Sequence, residues 1–69
     1  MRLSARNQLP GTITFIEVGS AMATVVIRLE GGHEMVSVIT KDSAERLSLA
    51  EGDAVTAVIK ATEVMVGKE

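Results

Sequence analysis

Ser4 and Arg6 stand two residues apart near the start of the chain, and Lys60 and Thr62 stand two apart near its end. Each pair joins a cation to a hydroxyl, and neither contains a carboxylate. A guanidinium offers a planar fork of donors, an ammonium a compact charge, and a hydroxyl one neutral donor. Converging on one place, the four side chains suit a small tetrahedral dianion. Backbone N–H groups at Ala5 and Ala61 would add neutral donors. From spacing alone the plainer alternative is the better one: Arg6 and Lys60 as solvated strand charges paired with Glu17 or Glu63.

A second place for an anion is the stretch ITKDS, residues 39–43. A helix start there would expose unpaired N–H groups at the positive end of a dipole. Thr40 and Ser43 would add hydroxyls. Ordinary N-capping uses the same residue types, and on local grounds it is favoured. Asp42 also opposes an anion by repulsion.

Other chemistry finds little support. The chain has no cysteine and one histidine, His33, which excludes disulfides, thiolate metal sites and a His-rich metal site. Gly31-Gly32 lacks the Lys-Ser/Thr that completes a phosphate loop. No Ser-His-Asp set or placed acid pair indicates catalysis, so the chain reads as a non-enzyme.

These side chains need elements to hold them. Residues 3–9 read as a first strand, with Ser4, Arg6 and Gln8 on one face. Pro10-Gly11 reads as a break. TITFIEV, residues 12–18, is a β-branched strand, and Gly19-Ser20 a turn. Residues 21–30 form the longest strand, with Ala23, Val25, Ile27 and Leu29 on one face. Gly31-Gly32 predicts a tight hairpin into residues 33–40, where Val36 and Val38 face one way and Met35 and Ile39 the other. The period changes at residues 42–48, which read as one short helix. Residues 54–66 supply a last strand, or two with a kink near Ala61-Thr62. The element order is that of an all-β fold, a small OB-like barrel of five to six strands with one helical turn.

Size and composition bear on assembly. At 69 residues the chain holds one domain, residues 1–69, and a domain this small buries too little surface to be comfortable alone. Hydrophobic residues make up 46% of it, yet Phe15 is the sole aromatic. Exposed apolar surface on so small a chain points to oligomerisation. A formal charge of −2 and the lack of stacking aromatics argue against nucleic-acid binding. No run is long enough to span a bilayer and no signal-peptide pattern is present, so a cytoplasmic protein without a membrane partner is expected.

Three stretches together, SARNQL at the start, ITKDSAERL in the middle and TAVIKATEVMV at the end, resemble the molbindins. These are the molybdenum-pterin-binding, or Mop/TOBE, family. The resemblance runs through essentially the whole chain in order. It implies a hexamer, a trimer of dimers, that binds molybdate or tungstate at subunit interfaces, the metal being held as an oxyanion and not by direct ligation. The SARN match implies contacts from Ser4, Ala5 and Arg6. The KAT match implies contacts from Lys60 and Ala61 supplied by a neighbouring subunit, with Thr62 beside them. Many members carry Ser where this chain has Ala61, so only the backbone N–H can donate there. The ITKDS match places Thr40 and Ser43 near an anion. A pterin is not supported, since a planar heterocycle wants stacking and Phe15 is the only ring available. The implied role is molybdate storage and homeostasis. The alternative is a molybdate-sensing module that acts through a partner protein.

Overall fold

The strand β1 (Asn7–Val18) runs straight through Pro10 and Gly11. The computed structural model describes all 69 residues. It adds β2 (Met22–Leu29), β3 (Glu34–Thr40), α1 (Lys41–Arg46) and β4 (Ala54–Ile59), followed by a 3-10 turn at Ala61–Glu63. Four strands, not five or six, form one curled antiparallel sheet in the order β3-β2-β1-β4.

The Pro-Gly pair does not break β1 because each residue sits where its defect is harmless. Pro10 pairs with Thr56 of β4 only, so its missing N–H interrupts no second ladder. Gly11 is where β1 gains its other partner, lying opposite both Leu29 and Val55. A Cβ at Gly11 would come 2.6 Å from Ile27 Cγ2 and 2.7 Å from the Arg28 carbonyl oxygen. Glycine permits that approach. The first half of β1 thus pairs with β4 and the second half with β2, and one long strand does the work of two short ones.

A register shift between Ile13 and Phe15 then sets the faces. The extra residue, Thr14, lets both Ile13 and Ile16 turn inward while Phe15 turns outward. Ile13 is buried and Phe15 is 46% exposed. β2 follows plain alternation, with Ala23, Val25 and Ile27 buried. Ile13, Val25, Ile27 and Ala57 form the core, ringed by Ile16, Leu29, Met35, Ile39, Leu49, Val55 and Ile59.

The hairpin between β2 and β3 turns at Gly31 and Gly32, both at φ +90, and His33 is exposed there. α1 begins one residue earlier than its pattern predicts and ends two earlier. Thr40 caps it, its hydroxyl accepting from the Ser43 N–H at 3.0 Å. The helix lies against β2 and β3, with Ala44 buried. After β4 the chain leaves the sheet: no strand covers residues 60–66. β3 and β4, the two unpaired edges, flank an apolar opening of about 270 Å³.

Candidate functional site

The β1–β4 ladder ends with Asn7 opposite Ile59. The next residue of each strand, Arg6 and Lys60, therefore leaves the sheet at the same point. Residues 4–6 approach as bends and not as strand, and residues 61–63 depart as a 3-10 turn. Between them lies an open hollow of about 300 Å³, lined by Ser4, Ala5, Arg6, Lys60, Ala61 and Thr62.

The expectation that Ser4 and Arg6 share one strand face, and Lys60 and Thr62 another, is corrected: all four lie just outside the strands. Within one chain, both triplets come to one hollow. The cause is the long β1, whose first half pairs with β4 of its own chain.

No carboxylate lines the hollow. Glu63 follows Thr62 directly but is not among the lining residues. The chain's one salt bridge joins Arg46 to Asp42 at 3.1 Å, so neither Arg6 nor Lys60 is paired with Glu17 or Glu63. Two cations with no partner within the chain face one concavity. The 3-10 turn contributes as well. Its opening N–H groups have no partner inside the turn, and Lys60, at its N-cap, makes no side-chain cap.

The N-terminal arm is braced. Gln8, half-buried in β1, donates from Nε2 to the Ala5 carbonyl at 2.7 Å. Sequence reasoning placed Gln8 on the Ser4–Arg6 face without giving it a role. The available signal was its spacing, three residues beyond Ala5, within reach of that carbonyl.

Thr40 and Ser43 are not brought to the hollow. Thr40 ends β3 and Ser43 lies in the first turn of α1, at the opposite edge of the sheet from β4. Their hydroxyls are engaged in the helix cap: the Thr40 hydroxyl donates to Ser43 Oγ at 2.8 Å, and Arg46 Nη2 donates to the same oxygen at 3.4 Å. Thr62, by contrast, joins Lys60 and Ala61 in the hollow.

Elsewhere no group of three or more His, Asp or Glu side chains could hold a metal ion. No helix is long and apolar enough to cross a membrane. Phe15, the only aromatic, is not part of the hollow.

Comparison with known proteins gives one consistent result. The family model for the TOBE domain matches residues 3–66. Molybdenum-pterin-binding protein 1 of Clostridium pasteurianum is 46% identical over 66 residues, covering 96% of this chain and 97% of its own. The probable molybdenum-pterin-binding protein of Haemophilus influenzae is 45% identical over 69 residues, covering both chains completely. Among solved structures, a molybdate-binding protein from Sporomusa ovata superposes with a TM-score of 0.92 at 46% identity, over 99% of this chain and 100% of that one.

Proposed function

The chain belongs to the Mop branch of the TOBE domain family, and from that premise we propose that it binds molybdate reversibly in the hollow between residues 4–6 and 60–62. Tungstate, of the same charge and shape, is a second ligand of the same site. One observation carries the reading: the six lining residues bring two unpaired cations, two hydroxyls and no carboxylate to one hollow.

Binding needs no covalent step. The guanidinium of Arg6 directs two N–H donors at neighbouring oxygens, and the ammonium of Lys60 supplies the second positive charge. Ser4 and Thr62 offer hydroxyls. Ala61 offers only its backbone N–H. Together they neutralise a dianion on a chain whose own formal charge is −2. A pterin is a poor match for such a site, because a flat ring system has nothing in it to stack against.

The single chain leaves the hollow wide. A water molecule's share of liquid volume is about 30 Å³, so about 300 Å³ takes an oxyanion with solvent to spare. Covering it would strengthen every charged contact by excluding water. Thirteen large hydrophobic side chains are exposed on the chain alone, and six residues in all are buried. We therefore extend the reading to a hexamer, a trimer of dimers, in which neighbouring subunits close over the anion. Storage and buffering of molybdate in the cytoplasm follow as the role.

Protein purified from cells, analysed for bound molybdenum and for assembly mass, tests this directly. Stoichiometric molybdenum on a hexamer is expected. A stable monomer that takes up no molybdate in calorimetry would overturn it.

A further inference from the structure

The hollow's N-terminal arm carries three lining residues in succession, yet residues 4–6 belong to neither a helix nor a strand. No backbone hydrogen bond of residues 4–6 appears outside the regular elements. An arm of this kind is ordinarily mobile, and a mobile arm cannot hold donors at fixed positions. One side chain supplies the missing constraint. Gln8 Nε2 donates to the Ala5 carbonyl at 2.7 Å. Gln8 itself is anchored, because it lies in β1 opposite Val58 of β4, two residues before Lys60.

The consequence lies in the peptide plane. In a trans peptide the carbonyl of Ala5 and the N–H of Arg6 point in opposite directions. Fixing the first fixes the second. Engaging the carbonyl with an amide donor also holds a partial negative charge in one place, where it cannot swing toward an incoming anion. The brace thereby references the arm to the same ladder from which Lys60 emerges.

We propose that Gln8 is a positioning residue that sets oxyanion selectivity: it fixes the spacing between the residue 4–6 donors and the residue 60–62 donors. This rests on the reading of the hollow as a molybdate site. A spacing held by the brace suits the larger tetrahedral oxyanion, whose oxygens reach both arms together. Sulfate is smaller and meets fewer donors at once. Without the brace the arm adapts to either anion, and the difference between them shrinks.

The test uses the full chain with Gln8→Leu, which keeps the side-chain bulk and removes the amide, and Gln8→Asn, which keeps the amide and shortens the reach. Calorimetry with molybdate and with sulfate, at one salt concentration, gives the selectivity ratio. In both variants molybdate affinity is expected to fall about three- to tenfold, the loss typical of one neutral hydrogen bond. Sulfate affinity is expected to change less, so the ratio falls. Backbone order parameters at Ala5 and Arg6, measured without ligand, are expected to drop below about 0.6. A purely structural role would lower the melting temperature and both affinities in parallel, leaving the ratio unchanged, and that result overturns the proposal. Wild-type protein that binds no molybdate overturns the functional reading and the role of Gln8 with it. Normal wild-type binding with unchanged binding in both variants overturns the role of Gln8 alone.

Discussion

Asn7 lies opposite Ile59 at the end of the antiparallel β1–β4 ladder, and from that pair the two halves of the hollow diverge. Residues 55 positions or so apart in sequence thus become neighbours through a single register, six paired positions long from Asn7–Ile59 to Thr12–Ala54. Whatever preserves this register preserves the juxtaposition of Arg6 with Lys60.

Arg6→Ala and Lys60→Ala should each weaken molybdate binding while leaving the fold intact. Each removes a charge-assisted donor, worth on the order of 1.5–3 kcal/mol, or about one to two decades in affinity. Ser4→Ala removes a neutral donor and should cost less, about 0.5–1.5 kcal/mol. Arg6→Lys should recover part of the loss only, because an ammonium lacks the planar fork. Calorimetric titration of each variant checks the order. Equal losses for Ser4→Ala and Lys60→Ala would mean that charge is not what the site reads.

Gly11→Ala should destabilise the fold without touching the hollow's lining. Its Cβ would have to displace Ile27 Cγ2 and the Arg28 carbonyl, at 2.6 and 2.7 Å. Overpacking of this kind costs about 1–3 kcal/mol. For a domain of this size that lowers the melting temperature by roughly 5–20 °C. A thermal melt at fixed protein concentration measures it. An unchanged melting temperature would show that β1 can shift away from β2 at no cost.

Gly11 also marks where a local reading of the sequence stops working. Pro-Gly is turn chemistry by every local criterion, and only the crowding of β2 against β1 makes it strand chemistry here. The bulge at Thr14 is hidden for a similar reason: the apolar pair Phe15-Ile16 interrupts the alternation of TITFIEV, but nothing in the stretch says which residue is extra. Alternation in β2 was sufficient, because that strand is regular and Ala23, Val25 and Ile27 have one buried face to share. The cap at Thr40 was legible because capping is local. The site was legible only in halves. Ser4–Arg6 and Lys60–Thr62 stood out by residue type, but their meeting depends on a ladder between distant segments. Thr40 and Ser43, chemically similar, are carried to the opposite edge by the same topology.

In the proposed hexamer, Val36→Lys and Val38→Lys should dissociate the assembly and leave the subunit folded. These side chains are 68% and 59% exposed on the chain alone. Val36 lies opposite Val26, and Val26 opposite Phe15, so an apolar row crosses three strands on the face away from the core. A lysine on an exposed strand changes subunit stability by about 0.5 kcal/mol or less. Within a subunit contact it would bury an unpaired charge. Sedimentation at micromolar concentration should show a smaller particle with unchanged circular dichroism. An intact oligomer would free this face from the assembly and leave its exposure without a use.

The last expectation concerns whether one chain or two complete the cationic half of the site. Arg6 and Lys60 leave the same ladder end of the same chain. An Arg6→Ala subunit therefore lacks one cation of its own hollow, and a Lys60→Ala subunit lacks the other. Unfolding the two variants together and refolding them should give mixed assemblies, verifiable by native mass spectrometry. If each hollow draws both cations from one chain, every hollow in a mixed assembly still lacks one, and molybdate affinity should stay as weak as in either variant alone. If the cations were exchanged between subunits, some interfaces would receive an intact Arg6 from one chain and an intact Lys60 from another. A fraction of sites would then bind with wild-type affinity. Titration of the mixed assemblies separates the two cases, because a restored fraction appears as a distinct tight phase and not as a small shift of the weak one. No tight phase is expected. Its appearance would place the working site between the Arg6 of one subunit and the Lys60 of its neighbour, and the hollow within a single chain would be only half of the anion's surroundings.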